Sequence, residues 1–185
     1  MILVVCTGNA CRSPMAAAIL EALLRRCGVD EQVVSAGTAP WKGGPTGTAV
    51  AVMRERGLNL DAHGHRAATR ELLERSDLVL CMERAHTRVI VERCPDAERR
   101  TFVIGELARR DRPRSSSETI REWAERIGKT PCAINAADEV ADPVGGPIAG
   151  YRRTARLLET WLTEIVALLA ARTRTRPTVL ASRTA

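Results

Sequence analysis

The stretch Ile2-Leu3-Val4-Val5 is apolar at four successive positions. A strand with one wet face alternates apolar and polar residues, whereas one without alternation is buried on both faces. Such a strand needs helices above and below it, which confines the chain to α/β architectures. The following segments keep that rhythm. Ser13-Pro14 is expected to open a helix, with serine accepting from a free first-turn amide and proline at the first helical position. Its apolar stripe reads Met15, Ile19, Ala22 and Leu23, and Gly28 ends it. Gln32–Ser35 reads as a second strand, Thr48–Arg56 as a helix stopped at Gly57, and Thr69–Arg75 as a short helix. Asp77–Met82 reads as a third, buried strand, Ala85–Arg93 as a helix and Thr101–Ile104 as a fourth strand. A long helix spans about 147–170, with Tyr151, Ala155, Leu158, Leu162, Ile165 and Leu169 on its core side. The expected fold is α/β in three layers: a central four-stranded parallel sheet flanked by helices, with right-handed crossovers.

Residues 109–135 interrupt the pattern. Arg109–Ser117 is polar and turn-rich, an expected exposed loop. Glu118–Ile127 follows as a short helix with Ile120, Trp123, Ala124 and Ile127 on one stripe. Residues 1–170 therefore read as one domain with an insertion near 109–135. Residues 171–185 read as a basic, disordered tail. The insertion runs directly into residues 136–142 and is expected to lie near any site they contribute to.

In open α/β sheets ligands bind beyond the carboxyl ends of the strands. The loop after the first strand, Cys6-Thr7-Gly8-Asn9-Ala10-Cys11-Arg12-Ser13, lies there, between a buried strand and a helix N-terminus. Free amides and the positive end of a helix dipole make that place an anion site. A thiol held in it is stabilised as thiolate, the nucleophilic form. Gly8 is expected to allow the loop a positive φ. Arg12 offers a planar fork of donors that suits phosphate. Cysteine, anion cradle and arginine together describe a nucleophile aimed at a bound phosphoryl group.

Val5 through Ala16 reads V-C-T-G-N-A-C-R-S-P-M-A. This closely resembles the signature of the low-molecular-weight protein tyrosine phosphatases, V-C-x-G-N-x-C-R-S-P-M-A, at the family's N-terminal position. Ser35-Ala36-Gly37-Thr38 is similar to the family's second-strand exit, Asp77–Met82 to its third strand, and Asp142-Pro143 to its general-acid loop. The resemblance covers roughly 1–108 and 138–170. It implies the flavodoxin-like, phosphotyrosine protein phosphatase I-like fold. It also implies a protein phosphatase working without metal or cofactor on phosphorylated protein substrates, as a monomer or weak dimer. Cys6 would attack phosphorus and form a phosphocysteine. Arg12 and the amides of Thr7, Gly8, Asn9, Ala10, Cys11 and Arg12 would hold the phosphoryl oxygens. Ser13 would donate to the Cys6 sulfur, and Asn9 would brace the loop. Asp142 would serve as general acid and then as base. Cys11 matches the family's second loop cysteine, which leaves two roles open, a protective disulfide with Cys6 or packing. Trp41 lies where some bacterial members place a pocket-rim tryptophan. His65 and His86 fall near the pocket in the resemblance and are given no catalytic role.

Two positions depart from the pattern. Tyrosine-specific members carry one or two aromatics after Asp-Pro, which stack on the substrate ring; here Val144 follows, without a ring. Asp-Pro-x-Gly-Gly is similar to the bacterial protein-arginine phosphatase branch, which has phenylalanine at x. Ala10 has neither the threonine of that branch nor the isoleucine of tyrosine-directed members. Phosphotyrosine is the expected substrate and phosphoarginine the alternative. Two rival classes share this loop. A thioredoxin-linked arsenate reductase needs relay cysteines on a flexible segment, but Cys81 falls within a strand and Cys94 thirteen residues later. A non-catalytic phosphate-binding module would lack one of the reacting groups, and none is missing.

Composition excludes other classes. The net charge of +6 suggests nucleic acid, but four arginines without an acid lie in residues 171–185, and without them the balance falls to +2. Phe102, Tyr151, Trp41, Trp123 and Trp161 are the only aromatics, too few for a stacking platform. No apolar run approaches a membrane span, and the N-terminus lacks a signal peptide. The six cysteines form no C-x-x-C pair and are not in zinc spacing with His63, His65 and His86. Reduced thiols in a cytoplasm are the expected state.

Overall fold

A computed structural model of the chain describes residues 1–130 and 132–170. Four parallel strands, β1 (Ile2–Cys6), β2 (Val33–Gly37), β3 (Leu78–Cys81) and β4 (Thr101–Val103), form one sheet in the order β2-β1-β3-β4. Among the described residues seven α-helices connect and cover them: α1 (Arg12–Arg26), α2 (Gly47–Arg54), α3 (Arg70–Arg75), α4 (Arg84–Arg93), α5 (Ile104–Ala108), α6 (Ile120–Gly128) and α7 (Ile148–Leu169). The side chains of β1 explain the layering. Ile2 and Val4 join one buried cluster with α1, α2, α6 and α7, while Leu3 and Val5 join another with α3 and α4. The expected three-layer fold is present.

Details differ from expectation for identifiable reasons. Helix α1 begins at Arg12, its N-cap Cys11 makes no side-chain cap bond, and Ser13 lies inside the first turn. Its buried face is Met15, Ala16, Ile19, Leu20 and Leu24, whereas Ala22 and Leu23 are half-buried. The helix packs on the sheet and on α7 together, so two neighbours rather than one set its inner face. Two 3-10 turns, Pro95–Arg100 and Ala136–Asp138, and helix α5 lack the apolar periodicity that would reveal them.

Residues 109–117 form the expected loop, and Ile120, Trp123, Ala124 and Ile127 are buried as expected. Their placement overturns the expected proximity to the site. Arg121 of α6 pairs with Asp77 at 2.9 Å and donates to the carbonyls of Glu74 and Ser76, all just before β3. Gly128 backs onto the Arg99 backbone ahead of β4. Helix α6 therefore covers the amino edge of the sheet, the end opposite the loop after β1. The two ends of the insertion approach the carboxyl end, where Arg84 of α4 donates to the Ile134 carbonyl at 3.0 Å and Arg109 pairs with Asp138 at 2.7 Å. The tail, 171–185, lies outside the described residues.

Candidate active site

With strand order β2-β1-β3-β4, the chain leaves β1 toward one side and reaches β3 on the other. The loop after β1 stands where the order reverses, the place such sheets bind ligands. Its backbone is held from behind. The carbonyls of Cys6, Thr7 and Ala10 accept from the amides of Thr38, Ala39 and Thr46 at 3.0, 2.9 and 2.8 Å. The carbonyls of Gly8 and Asn9 accept from His65 Nδ1 at 3.2 Å and His63 Nε2 at 3.1 Å. Cys11 O accepts from Met15 N at 3.1 Å, as α1 begins. Carbonyls engaged outward leave the opposite, amide side of the loop for an anion.

Positive φ falls on Asn9 (51°) and not on Gly8. Asparagine tolerates that region, and here its side chain secures it. Asn9 Nδ2 donates to Ser13 Oγ at 3.0 Å and to Ser35 Oγ at 2.9 Å, and Oδ1 accepts from Arg66 N at 3.0 Å. A Cβ on Gly8 would stand 3.4 Å from the Trp41 ring, in ordinary contact with it. Gly37 of β2 is tighter still: a Cβ there would meet Thr7 O at 2.7 Å and the Gly8 and Asn9 backbone at 3.1 Å.

The Cys6 sulfur lies 3.0 Å from Ser13 Oγ. Ser13 already accepts from Asn9, and its next acceptor, Ala36 O, is at 3.4 Å. Its one proton therefore has its shortest path to sulfur. Arg12, 2% exposed, places Nη1 against Glu83 and 2.9 Å from Val140 O, and Nη2 2.6 Å from Asp142 Oδ2. A cleft of about 160 Å³ is lined by Cys6, Thr7, Gly8, Ala10, Cys11, Arg12, Trp41, Asp142 and Val144, with Ala39 and Pro40. Asn9 and Ser13 stand buried behind it. The rim residues Trp41 and Val144 are 39% and 47% exposed. Every residue singled out from the sequence thus gathers at one place.

A family profile for the low molecular weight phosphotyrosine protein phosphatases matches residues 1–175. The chain belongs to this family. It is a cysteine-based phosphatase. A probable low molecular weight protein-tyrosine-phosphatase, EpsP of Ralstonia solanacearum, is 40% identical over 111 residues, 60% of this chain and 74% of that one. The protein-arginine-phosphatase of Geobacillus stearothermophilus is 34% identical over 166 residues, 89% of this chain and 92% of that one. Among solved structures, the low molecular weight protein tyrosine phosphatase of T. tengcongensis superposes with a TM-score of 0.73 at 30% identity. That alignment covers 91% of this chain and 98% of the other. The profile match takes in residues 109–135 as well.

Several contacts of the loop escaped the sequence, although the resemblance places His65 and His86 near the pocket. Ser35, Glu83 and Val140 reach it only through the fold, and all three histidines bond the loop, His86 through Thr7 Oγ1 at 2.9 Å. The available signal was that His63, His65 and Arg66 crowd into four residues after an irregular stretch. Burial holds the His63 imidazole below its usual pKa, and burial together with the Arg12 charge does the same to His86. Burial, with Asp142 and Cys6 nearby, pushes the Cys11 thiol up to about 12. Cys11 packs with its sulfur 3.8 Å from that of Met15. Cys81 and Cys94 are both fully buried, which gives an arsenate reductase relay no outward path. Among the described residues no helix is long and apolar enough to cross a membrane.

Proposed function

We propose that this phosphatase hydrolyses phosphotyrosine in proteins through a phosphocysteine at Cys6. The thiolate attacks phosphorus, the sulfur–phosphorus bond forms, and the bond to the phenolic oxygen breaks. Asp142 gives its proton to that oxygen. Water then attacks the phosphocysteine, Asp142 takes the water's proton, and inorganic phosphate leaves as Cys6 regains its thiolate. Arg12 and the amides of residues 7–12 hold the phosphoryl oxygens, where transition-state charge spreads. Ser13 steadies the sulfur both as thiolate and as leaving group. Asn9 keeps the loop in shape. Trp41 and Val144 form the rim against which the substrate side chain rests. In this reading the protein acts on phosphorylated proteins in a cytoplasm as a monomer or weak dimer, with residues 1–170 as the catalytic unit.

The observation that carries the reading is the convergence of Cys6, with Ser13 Oγ 3.0 Å from its sulfur, and of Arg12 and Asp142 on one cleft. Phosphoarginine is the second reading. It is favoured by the missing ring at Val144 and by the arginine phosphatase relative that aligns over 89% of the chain. The deciding experiment measures phosphate release from phosphotyrosine, phosphoarginine and phosphoserine peptides. Turnover on the phosphotyrosine peptide and none by Cys6→Ser is expected, with Asp142→Asn slower by roughly 10²–10⁴. Preference for the phosphoarginine peptide would transfer the assignment to the second reading. Turnover by Cys6→Ser would end both.

A further inference from the structure

Thr7 follows the nucleophile, is exposed on the cleft wall and carries a hydroxyl whose hydrogen bonds can be counted. Three observations fix them. His86 Nδ1 lies 3.1 Å from Glu83 N, an N–H that can only donate, so Nδ1 accepts. The proton of the neutral imidazole is then on Nε2, which lies 2.9 Å from Thr7 Oγ1 and donates to it. Arg12 Nη2, a donor in every state, is 3.4 Å from the same oxygen. A hydroxyl has two lone pairs and one proton. Both lone pairs are taken, and the proton has no protein acceptor among the described residues.

We infer that Thr7 Oγ is a further binding group of this phosphatase, its proton directed into the cleft to donate to an oxygen of the bound phosphoryl group, with His86 as the positioning residue that enforces this direction. The inference rests on the proposed phosphocysteine reaction. Its physical sense follows from the charges. An oxyanion beside Arg12 needs donors, and an unconstrained threonine hydroxyl presents a lone pair as readily as a proton. A backbone amide sets the imidazole tautomer, the imidazole fills one lone pair of the hydroxyl, and Arg12 fills the other. The bond from Glu83 N needs an unprotonated Nδ1, and burial with the Arg12 charge favours that neutral imidazole.

The test uses inorganic phosphate as a competitive inhibitor of aryl phosphate hydrolysis, with a thermal melt of each variant as a check on folding. Thr7→Val, which keeps the shape and loses the hydroxyl, should weaken phosphate inhibition about 10-fold or more, as expected for a hydrogen bond to a charged group. Thr7→Ser should restore it. His86→Asn retains an acceptor near Glu83 N but does not reach Thr7. It should give a smaller loss alone and none in the Thr7→Val background, because His86 acts only through that hydroxyl. Wild-type phosphate inhibition in Thr7→Val, or independent multiplying losses in the double variant, would overturn the inference. The reaction underneath is tested separately, since turnover by Cys6→Ser overturns it whatever Thr7 does.

Discussion

Replacing Gly37 by alanine tests whether the loop proposed to carry the reaction is held rigidly against β2. The new Cβ would stand 2.7 Å from Thr7 O, whereas ordinary contact begins at 3.4 Å, so something must move by about 0.7 Å. The strand cannot retreat easily. Gly37 N donates to Arg66 O at 2.8 Å, Gly37 O accepts from Ala68 N at 2.9 Å, and Cys6 pairs with Gly37 in the sheet register. The loop yields instead, carrying Thr7, Gly8 and Asn9 with it. Overpacking of this kind costs about 1–3 kcal/mol. In a chain of this size that lowers Tm by roughly 2–12 °C. Misplacement by ~1 Å of groups that position the reacting atoms costs on the order of 100-fold. We therefore expect kcat/KM on an aryl phosphate to fall about 10- to 100-fold at temperatures where the variant is fully folded. Gly28→Ala is the control. Its φ is +67° with no heavy atom within 4 Å of the added Cβ, so it should cost about 1–2 kcal/mol and leave kcat/KM unchanged. Wild-type kcat/KM in Gly37→Ala would refute the rigid-contact argument.

Trp123→Ala removes the largest fully buried side chain and should cost about 3–5 kcal/mol by denaturant titration. Because α6 covers the amino edge of the sheet, KM for phosphopeptide should not change; a changed KM would return this segment to the pocket. Alkylation of the folded protein near neutral pH, mapped by peptide mass, should label exposed Cys27 and spare Cys11, Cys81 and Cys94. Asp138 is buried and takes two bonds at 2.7 Å from Arg109, which holds its carboxyl below the usual range despite burial. A lowered folded pKa adds stability above the unfolded value of about 3.9, and that stability fades as pH falls through the folded value. Asp138→Asn should therefore cost about 1–3 kcal/mol at pH 7, with the gap to wild type narrowing below about pH 4. A gap independent of pH would contradict the pairing.

The site was legible in the sequence as far as it is local. Residues 6–13 are contiguous, and a buried strand followed by a helix N-terminus prescribes an anion cradle whatever surrounds it. The apolar stripes of α6 and α7 gave those helices their buried faces. The stripe of α1 was misjudged because two partners share that helix. Positive φ was expected at Gly8 and occurs at Asn9, because bonds to Ser13, Ser35 and Arg66 hold the asparagine there.

Sequence alone determined the layer architecture, the placing of Cys6 between a buried strand and a helix N-terminus, and the cysteine–arginine spacing, since each depends on residues a few positions apart. Tertiary structure decided the strand order, the amino-edge position of α6, and the ring of supports around the loop. Those supports come from Gly37, His63, His65, Glu83, His86 and Val140, between 28 and 128 positions from their partners. Periodicity reports which face of an element is apolar. It does not report which distant donor will meet a given carbonyl, because that depends on how the packed layers bring the connecting loops together.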